Sequence, residues 1–247
     1  WSWQTSDLIF TNSAKTDQTI YIVDGYSRAY TDLDDVPQDS WLYVEYTRSD
    51  ASYANTYAYA WNNGYSYKED GVSKNLNYPV QNINGKYVAK IPVVVGSTEK
   101  SVGFIMQKGT DLTNKDGGDN YVTVPNDEKI TKVRFANGQI TNVVPASKGY
   151  SIDRDNMTLN FYYRDEDLFA ECNLDSLTDV KLVLRTAVGT GAVSAEKTYQ
   201  MTYSETNDRF ESESITLTED SDFYYYYLVG GTRVLDSHNK RTATLDG

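Results

Sequence analysis

The segment Tyr57-Ala58-Tyr59-Ala60-Trp61 alternates three large rings with two alanines. A period of two is turned into two chemically distinct faces only by an extended strand, which would put every ring on one side. Successive rings would then stand about 6.6 Å apart. Short alternating or apolar runs of this kind, bounded by Gly, Asn, Asp and Pro, recur along the chain, and no stretch sustains a helical period. The chain is therefore expected to be all-β, with strands over residues 19–23, 41–46, 56–61, 87–95, 102–107, 121–124, 132–135, 157–163, 180–186, 197–203, 209–217, 223–228 and 232–235. Hairpin turns are signalled by Asn63-Gly64, Asn84-Gly85, Asp116-Gly117-Gly118, Asn137-Gly138 and Gly230-Gly231. Short helices are expected only at 112–114 or 165–174.

The 247 residues suffice for two domains of ordinary size. A boundary is expected at Pro145-Ala146-Ser147-Lys148-Gly149, between two strand series, which gives modules over residues 37–146 and 147–247, each large enough for a β-sandwich. The acidic link 32–39 sets off residues 1–36. Ser6-Asp7-Leu8-Ile9-Phe10-Thr11 followed by Ile20-Tyr21-Ile22-Val23-Asp24-Gly25 resembles Gly118-Asp119-Asn120-Tyr121-Val122-Thr123 followed by Val133-Arg134-Phe135-Ala136-Asn137-Gly138, at an offset of about 112 residues. Residues 1–36 are thus either the tail of a preceding copy or an N-terminal hairpin. The start at Trp1, without Met, suggests a piece of a longer protein.

Charge and composition narrow the partners. A net charge of −12 opposes nucleic acid, whose phosphates require Lys and Arg to displace counterions, and disfavours anionic lipid. No apolar run approaches the roughly 18 residues of a membrane-spanning helix. Cys172 and His238 are each the only residue of their type, so an internal disulfide, a Cys/His metal cluster and a His-based triad have no material. His238, in Asp236-Ser237-His238-Asn239-Lys240, is expected to face solvent. Asp116-Gly117-Gly118-Asp119 lacks the spaced oxygens of a calcium loop and is expected to be a turn. No catalytic residue, metal or cofactor is expected. Scarce cysteine with 22 tyrosines among many Asn, Ser, Thr and Asp fits an extracellular protein with a hydrated, ring-bearing surface.

Rings on one strand face are either core or a binding platform. Ala58 and Ala60 on the opposite face suit close packing against a second sheet, which would turn the rings outward. Trp41, on a strand with Leu42 and Val44, is expected to pack in the core. The run Phe223-Tyr224-Tyr225-Tyr226-Tyr227 places rings on both faces of its strand.

The order of motifs carries a resemblance. Trp41-Leu42-Tyr43-Val44-Glu45-Tyr46-Thr47-Arg48-Ser49-Asp50, then Tyr53, then Tyr59-Ala60-Trp61, resembles the opening of a family 41 carbohydrate-binding module of bacterial pullulanases. Val102-Gly103-Phe104-Ile105 and Lys115-Asp116-Gly117-Gly118-Asp119-Asn120-Tyr121-Val122 resemble its later strand and Lys-Asp turn, and the closing hairpin at 132–143 also fits, so the likeness covers about residues 38–145. It implies a non-catalytic β-sandwich that binds α-glucan polysaccharide or maltooligosaccharides. Tyr59 and Trp61 would be the stacking aromatics, and Lys115 and Asp119 the hydrogen-bonding residues. Tyr59 stands where Trp is usual, Tyr57 matches no family contact, and no aromatic occurs among Asp111, Leu112 and Thr113 before the turn.

Thr158-Leu159-Asn160-Phe161-Tyr162-Tyr163-Arg164 and the segment from Tyr224 to Asp236 are similar to the immunoglobulin-like modules that precede the catalytic barrel of the same enzymes, mostly spacers, though some bind glucan. The resulting expectation is a monomeric, secreted or cell-wall attached binding fragment of an amylolytic enzyme, made of tandem immunoglobulin-like β-sandwiches. The alternative is a cell-surface adhesin or stalk that binds protein or host glycan.

Overall fold

Apolar residues at every second position are buried by pairing strands and closing one sheet face on another, and the chain folds in that way. The computed structural model describes residues 40–65, 74–95, 98–146, 149–187, 193–217 and 222–239, with the backbone of 21–22, 29–30, 67–69 and 72–73. The reading of residues 1–36 as a repeat tail or hairpin lies outside the described residues, apart from the ladder of β1 (Tyr21–Ile22) and β2 (Ala29–Tyr30).

The first module comprises β3 (Ser40–Thr47), β4 (Thr56–Trp61), the short ladder β5 (Tyr67–Glu69) and β6 (Val72–Lys74), β7 (Leu76–Ile83), β8 (Lys86–Val93), β9 (Lys100–Lys108), β10 (Lys115–Val124), β11 (Ile130–Ala136) and β12 (Gln139–Val143). Eight strands pair in the order β10-β9-β4-β7-β8-β3-β11-β12, parallel only between β3 and β11. The β7–β8 hairpin turns at Asn84 and Gly85, whose φ of 49° and 85° give the doubly left-handed turn that the Asn-Gly signal implies. It joins two four-stranded layers. Their facing residues, Leu42, Val44 and Tyr46 of β3, Ala58 and Ala60 of β4, Val102, Phe104 and Met106 of β9, and Val133 and Phe135 of β11, form one core.

The structure corrects two sequence expectations and adds one strand. Trp41 is not core: Leu42, Val44 and Tyr46 point inward, so strand parity turns Trp41 to the other face, where it is half-buried. Leu76–Ile83, not among the expected strands, pairs with β4 despite Pro79 and turns Tyr78 and Val80 to the core. Asp116-Gly117-Gly118 is not a turn but lies inside β10, where the register slips between Asp116 and Asn120. Gly117 has φ of 82°, and a Cβ there would lie 2.0 Å from the Gly138 carbonyl oxygen, so only glycine fits that close backbone approach.

The second module has β13 (Tyr150–Asp153), β14 (Thr158–Tyr163), α1 (Glu166–Ala170), β15 (Val180–Ala187), β16 (Lys197–Gln200), β17 (Thr202–Ser204), β18 (Arg209–Glu211), β19 (Ile215–Thr216), β20 (Asp222–Val229) and β21 (Thr232–Val234). One sheet runs β13-β14-β18-β17 with β19 also on β14; the other runs β16-β15-β20-β21. The expected strand 197–203 divides at buried Met201, where the chain passes between sheets, and 209–217 divides into β18 and β19. Between 165 and 174 the helix α1 forms, with the Asp165 side chain accepting from the Leu168 N–H as its cap. Inside, Leu159, Phe161, Leu182, Leu184, Phe210 and Tyr227 pack together. Phe223 and Tyr225 pack against that core; Tyr226 faces away and carries the Arg233 guanidinium 4.3 Å above its ring.

Candidate functional site

Because Ala58 and Ala60 enter the core completely, Tyr57, Tyr59 and Trp61 occupy the outer face of β4, half-buried. Tyr59 and Trp61 have ring centroids 6.0 Å apart with planes inclined by 44°. The Tyr59 hydroxyl accepts a 3.0 Å hydrogen bond from the Asn75 side chain, which holds the ring. Trp61 leans over the neighbouring strand: a Cβ on Gly103 would lie 2.1 Å from its Cε2 and 2.3 Å from its Nε1. The missing side chain of Gly103 makes room for the indole.

On the far side of Gly103 stands Tyr121, which pairs with Gly103 in register as Trp61 does from the other edge. Its centroid is 5.7 Å from that of Trp61, the planes meet at 87°, and the residue is 57% exposed. The motif reading did not single it out as a contact. Strand order would have been needed to find it, since 60 positions separate the two residues in sequence.

Lys115 and Asp119 are both exposed on β10, but they lie in different relations to the rings. Lys115 pairs with Gln107, which pairs with Tyr57, so its row is that of Tyr57 rather than Trp61. Asp119 sits within the bulge, two positions before Tyr121. Buried Gln107 donates to the Asn77 side chain at 2.6 Å and accepts from the Leu112 N–H at 2.8 Å, which fastens the loop after β9 over this row. Tyr57 is thus part of the same face, with Gln107 between it and Lys115.

Residues 40–143 match the family model described as the bacterial pullanase-associated domain. Among solved structures, the chain is similar to CBMd, of family CBM41, from Eubacterium rectale Amy13K, at 14% identity over 45% of this chain and 100% of that one, with a TM-score of 0.31. It is also similar to the multi-modular glycogen-degrading pneumococcal virulence factor SpuA, at 12% identity over 84% of this chain and 27% of that one, with a TM-score of 0.27. No curated protein sequence matches.

In the first module, a polar chain behind the face fixes the start of β10. Arg48 grips Asp50 through two bonds of 2.8 and 2.9 Å and donates at 3.0 Å to the Tyr46 hydroxyl, which in turn donates to the Asp116 carboxylate. The Arg48 N–H also donates to the Tyr53 hydroxyl at 3.1 Å. The paired guanidinium and the Ser52 N–H hold the Asp50 carboxyl well below the usual carboxylate range, and burial with the Asp116 bond raises the Tyr46 phenol. With Asp116 anchored inward, strand alternation delivers Lys115 to the outer face.

Among the described residues, no group of three or more His, Cys, Asp or Glu is placed to hold a metal ion. His238 is exposed, as expected, with Nδ1 3.4 Å from Asp236 and Nε2 3.9 Å from Glu166. These residues line a cleft of about 260 Å³ in the second module with Tyr162, Arg164 and Tyr227. Two of its tyrosines are engaged within the module: Arg209 covers the Tyr162 ring at 3.6 Å, and the Tyr227 hydroxyl donates to the Tyr162 carbonyl at 2.7 Å.

Proposed function

We propose that the first module binds α-glucans such as starch, glycogen, pullulan and their maltooligosaccharides, without catalysis, and so holds an attached amylolytic enzyme on its substrate. The observation that carries this reading is the outward Tyr59–Trp61 pair, 6.0 Å apart and inclined by 44°. Pyranose rings present C–H faces that stack on aromatic rings, while their hydroxyls take hydrogen bonds from the margin. A flat, β-linked chain is best served by coplanar rings. The axial–equatorial α-1,4 linkage turns its chain, so successive sugars meet rings at successive inclinations.

Lys115 and Asp119 supply donor and acceptor groups at the margin of the face. A base stacked on an aromatic ring gains about 1–3 kcal/mol, a loose upper guide for a sugar. A few such contacts give affinities in the micromolar to millimolar range, about −8 to −4 kcal/mol. Attachment to further binding modules would raise retention on a polymer through effective concentration. The acidic, tyrosine-rich surface supports an extracellular setting, secreted or at the cell wall, for a monomeric binding unit.

Native gel electrophoresis through amylopectin or pullulan tests the reading. Wild-type protein should be retarded, and Trp61→Ala should run freely. Unchanged wild-type mobility at high polysaccharide concentration would sink it and leave the adhesin reading. Reducing sugar released from the same gels by purified protein would overturn the non-enzymatic assignment.

A further inference from the structure

We infer that Tyr121 is a third sugar-contact ring, and that with Trp61 it forms a corner that selects a turning glucan chain over a flat one. The inference rests on the proposed α-glucan site and adds a residue and a discrimination to it. Large side chains on a sheet face ordinarily cover their neighbours, yet Tyr121 remains 57% exposed while its ring touches Trp61. The row Trp61, Gly103, Tyr121 runs across three adjacent strands, and the central residue has no side chain to separate the two rings.

The three rings change inclination stepwise, by 44° from Tyr59 to Trp61 and by 87° from Trp61 to Tyr121. The Trp61 and Tyr121 rings thus meet nearly at a right angle. A sugar stacked on Trp61 would meet Tyr121 at its edge, where the hydroxyls lie, and the phenol supplies both a donor and an acceptor. A flat chain lying across Tyr59 and Trp61 would run into Tyr121 as a wall; a turning chain follows the corner. The β10 bulge ends immediately before Tyr121, so Asp119 and Tyr121 are presented by the same short segment.

Titration calorimetry of the full chain with a maltooligosaccharide, and with a cello-oligosaccharide of equal length, decides the matter. Tyr121→Ala should weaken maltooligosaccharide binding by about tenfold, the equivalent of one modest stacking contact. Tyr121→Phe, which keeps the ring, should recover most of that loss. Neither should shift the melting temperature, because the side chain is mostly solvated. Affinity of Tyr121→Ala within about twofold of wild type, with Trp61→Ala binding lost, would overturn the corner but leave the site standing. A parallel fall in melting temperature, or equal wild-type affinity for both oligosaccharides, would overturn it as well. A wild-type protein that binds neither sugar would remove the site and the corner together.

Discussion

The position that most sharply tests the platform is Gly103, because it acts on Trp61 without touching the sugar. A methyl group at Gly103 would lie 2.1 Å from Cε2, 2.3 Å from Nε1 and 2.5 Å from Cζ2 of the indole. Carbon atoms settle at about 3.5–4.0 Å, so in Gly103→Ala the indole must lift or swing by roughly 1.5 Å. Trp61 is half-buried on an outer face and can do so without disturbing the core, whose side chains lie on the opposite side of the sheet. Replacing a strand glycine by alanine also recovers about 0.5–1 kcal/mol of backbone entropy. Folding stability should therefore hold or rise slightly. The displaced ring loses its fixed relation to Tyr59 and Tyr121, and the expected loss of maltooligosaccharide affinity is about tenfold, or about 1.4 kcal/mol.

Three readouts on one preparation check this: titration calorimetry, the thermal midpoint, and the intrinsic fluorescence of Trp61 against a Trp61→Phe background. In Trp61→Phe the smaller ring leaves room for the methyl, so Gly103→Ala should cost less there than in the wild type. That non-additivity is the signature of two changes acting through one group. Wild-type affinity in Gly103→Ala would refute the claim that the indole position matters. A full additive loss in the double variant would refute the route through Trp61.

Tyr46→Phe removes the hydroxyl that links Arg48 to Asp116 while leaving both partners in place; a destabilisation of about 1–3 kcal/mol is expected by denaturant titration, and an unchanged midpoint would remove the network's structural role. At high pH the second module should weaken. Burial and the nearby Asp165 push the Tyr163 phenol up to about 12, and burial, with the Asp236 bond at Tyr225, holds Tyr225 and Tyr227 above the ordinary tyrosine range. The folded state keeps protons that the unfolded chain releases near the ordinary value of 10.0, so stability is intact below that pH and falls as pH rises towards about 12. Phenolate absorbance followed with denaturant midpoints checks this; uniform titration near 10.0 with a flat stability profile would contradict the burial argument.

What could be read in the sequence, and what could not, divides along one physical line. Strand parity is local: two alanines between three rings show that Tyr57, Tyr59 and Trp61 share one face, and the small alanines favour the opposite face for close packing against another sheet. The same parity applied to Leu42, Val44 and Tyr46 turns Trp41 outward, and the expectation of a core Trp41 failed because it weighed size above phase. β7, outside the expected strands, keeps the same inward phase at Tyr78 and Val80 on either side of Pro79. Register is not local. That Gly103 lies between Trp61 and Tyr121, that Lys115 shares a row with Tyr57, and that Tyr46 reaches Asp116 all depend on which strands become neighbours. Strand order is decided by the closing of the whole sandwich, and no window of a few residues contains it. A motif can thus name single rings, whereas a corner made of two rings 60 positions apart exists only once the sheet has formed.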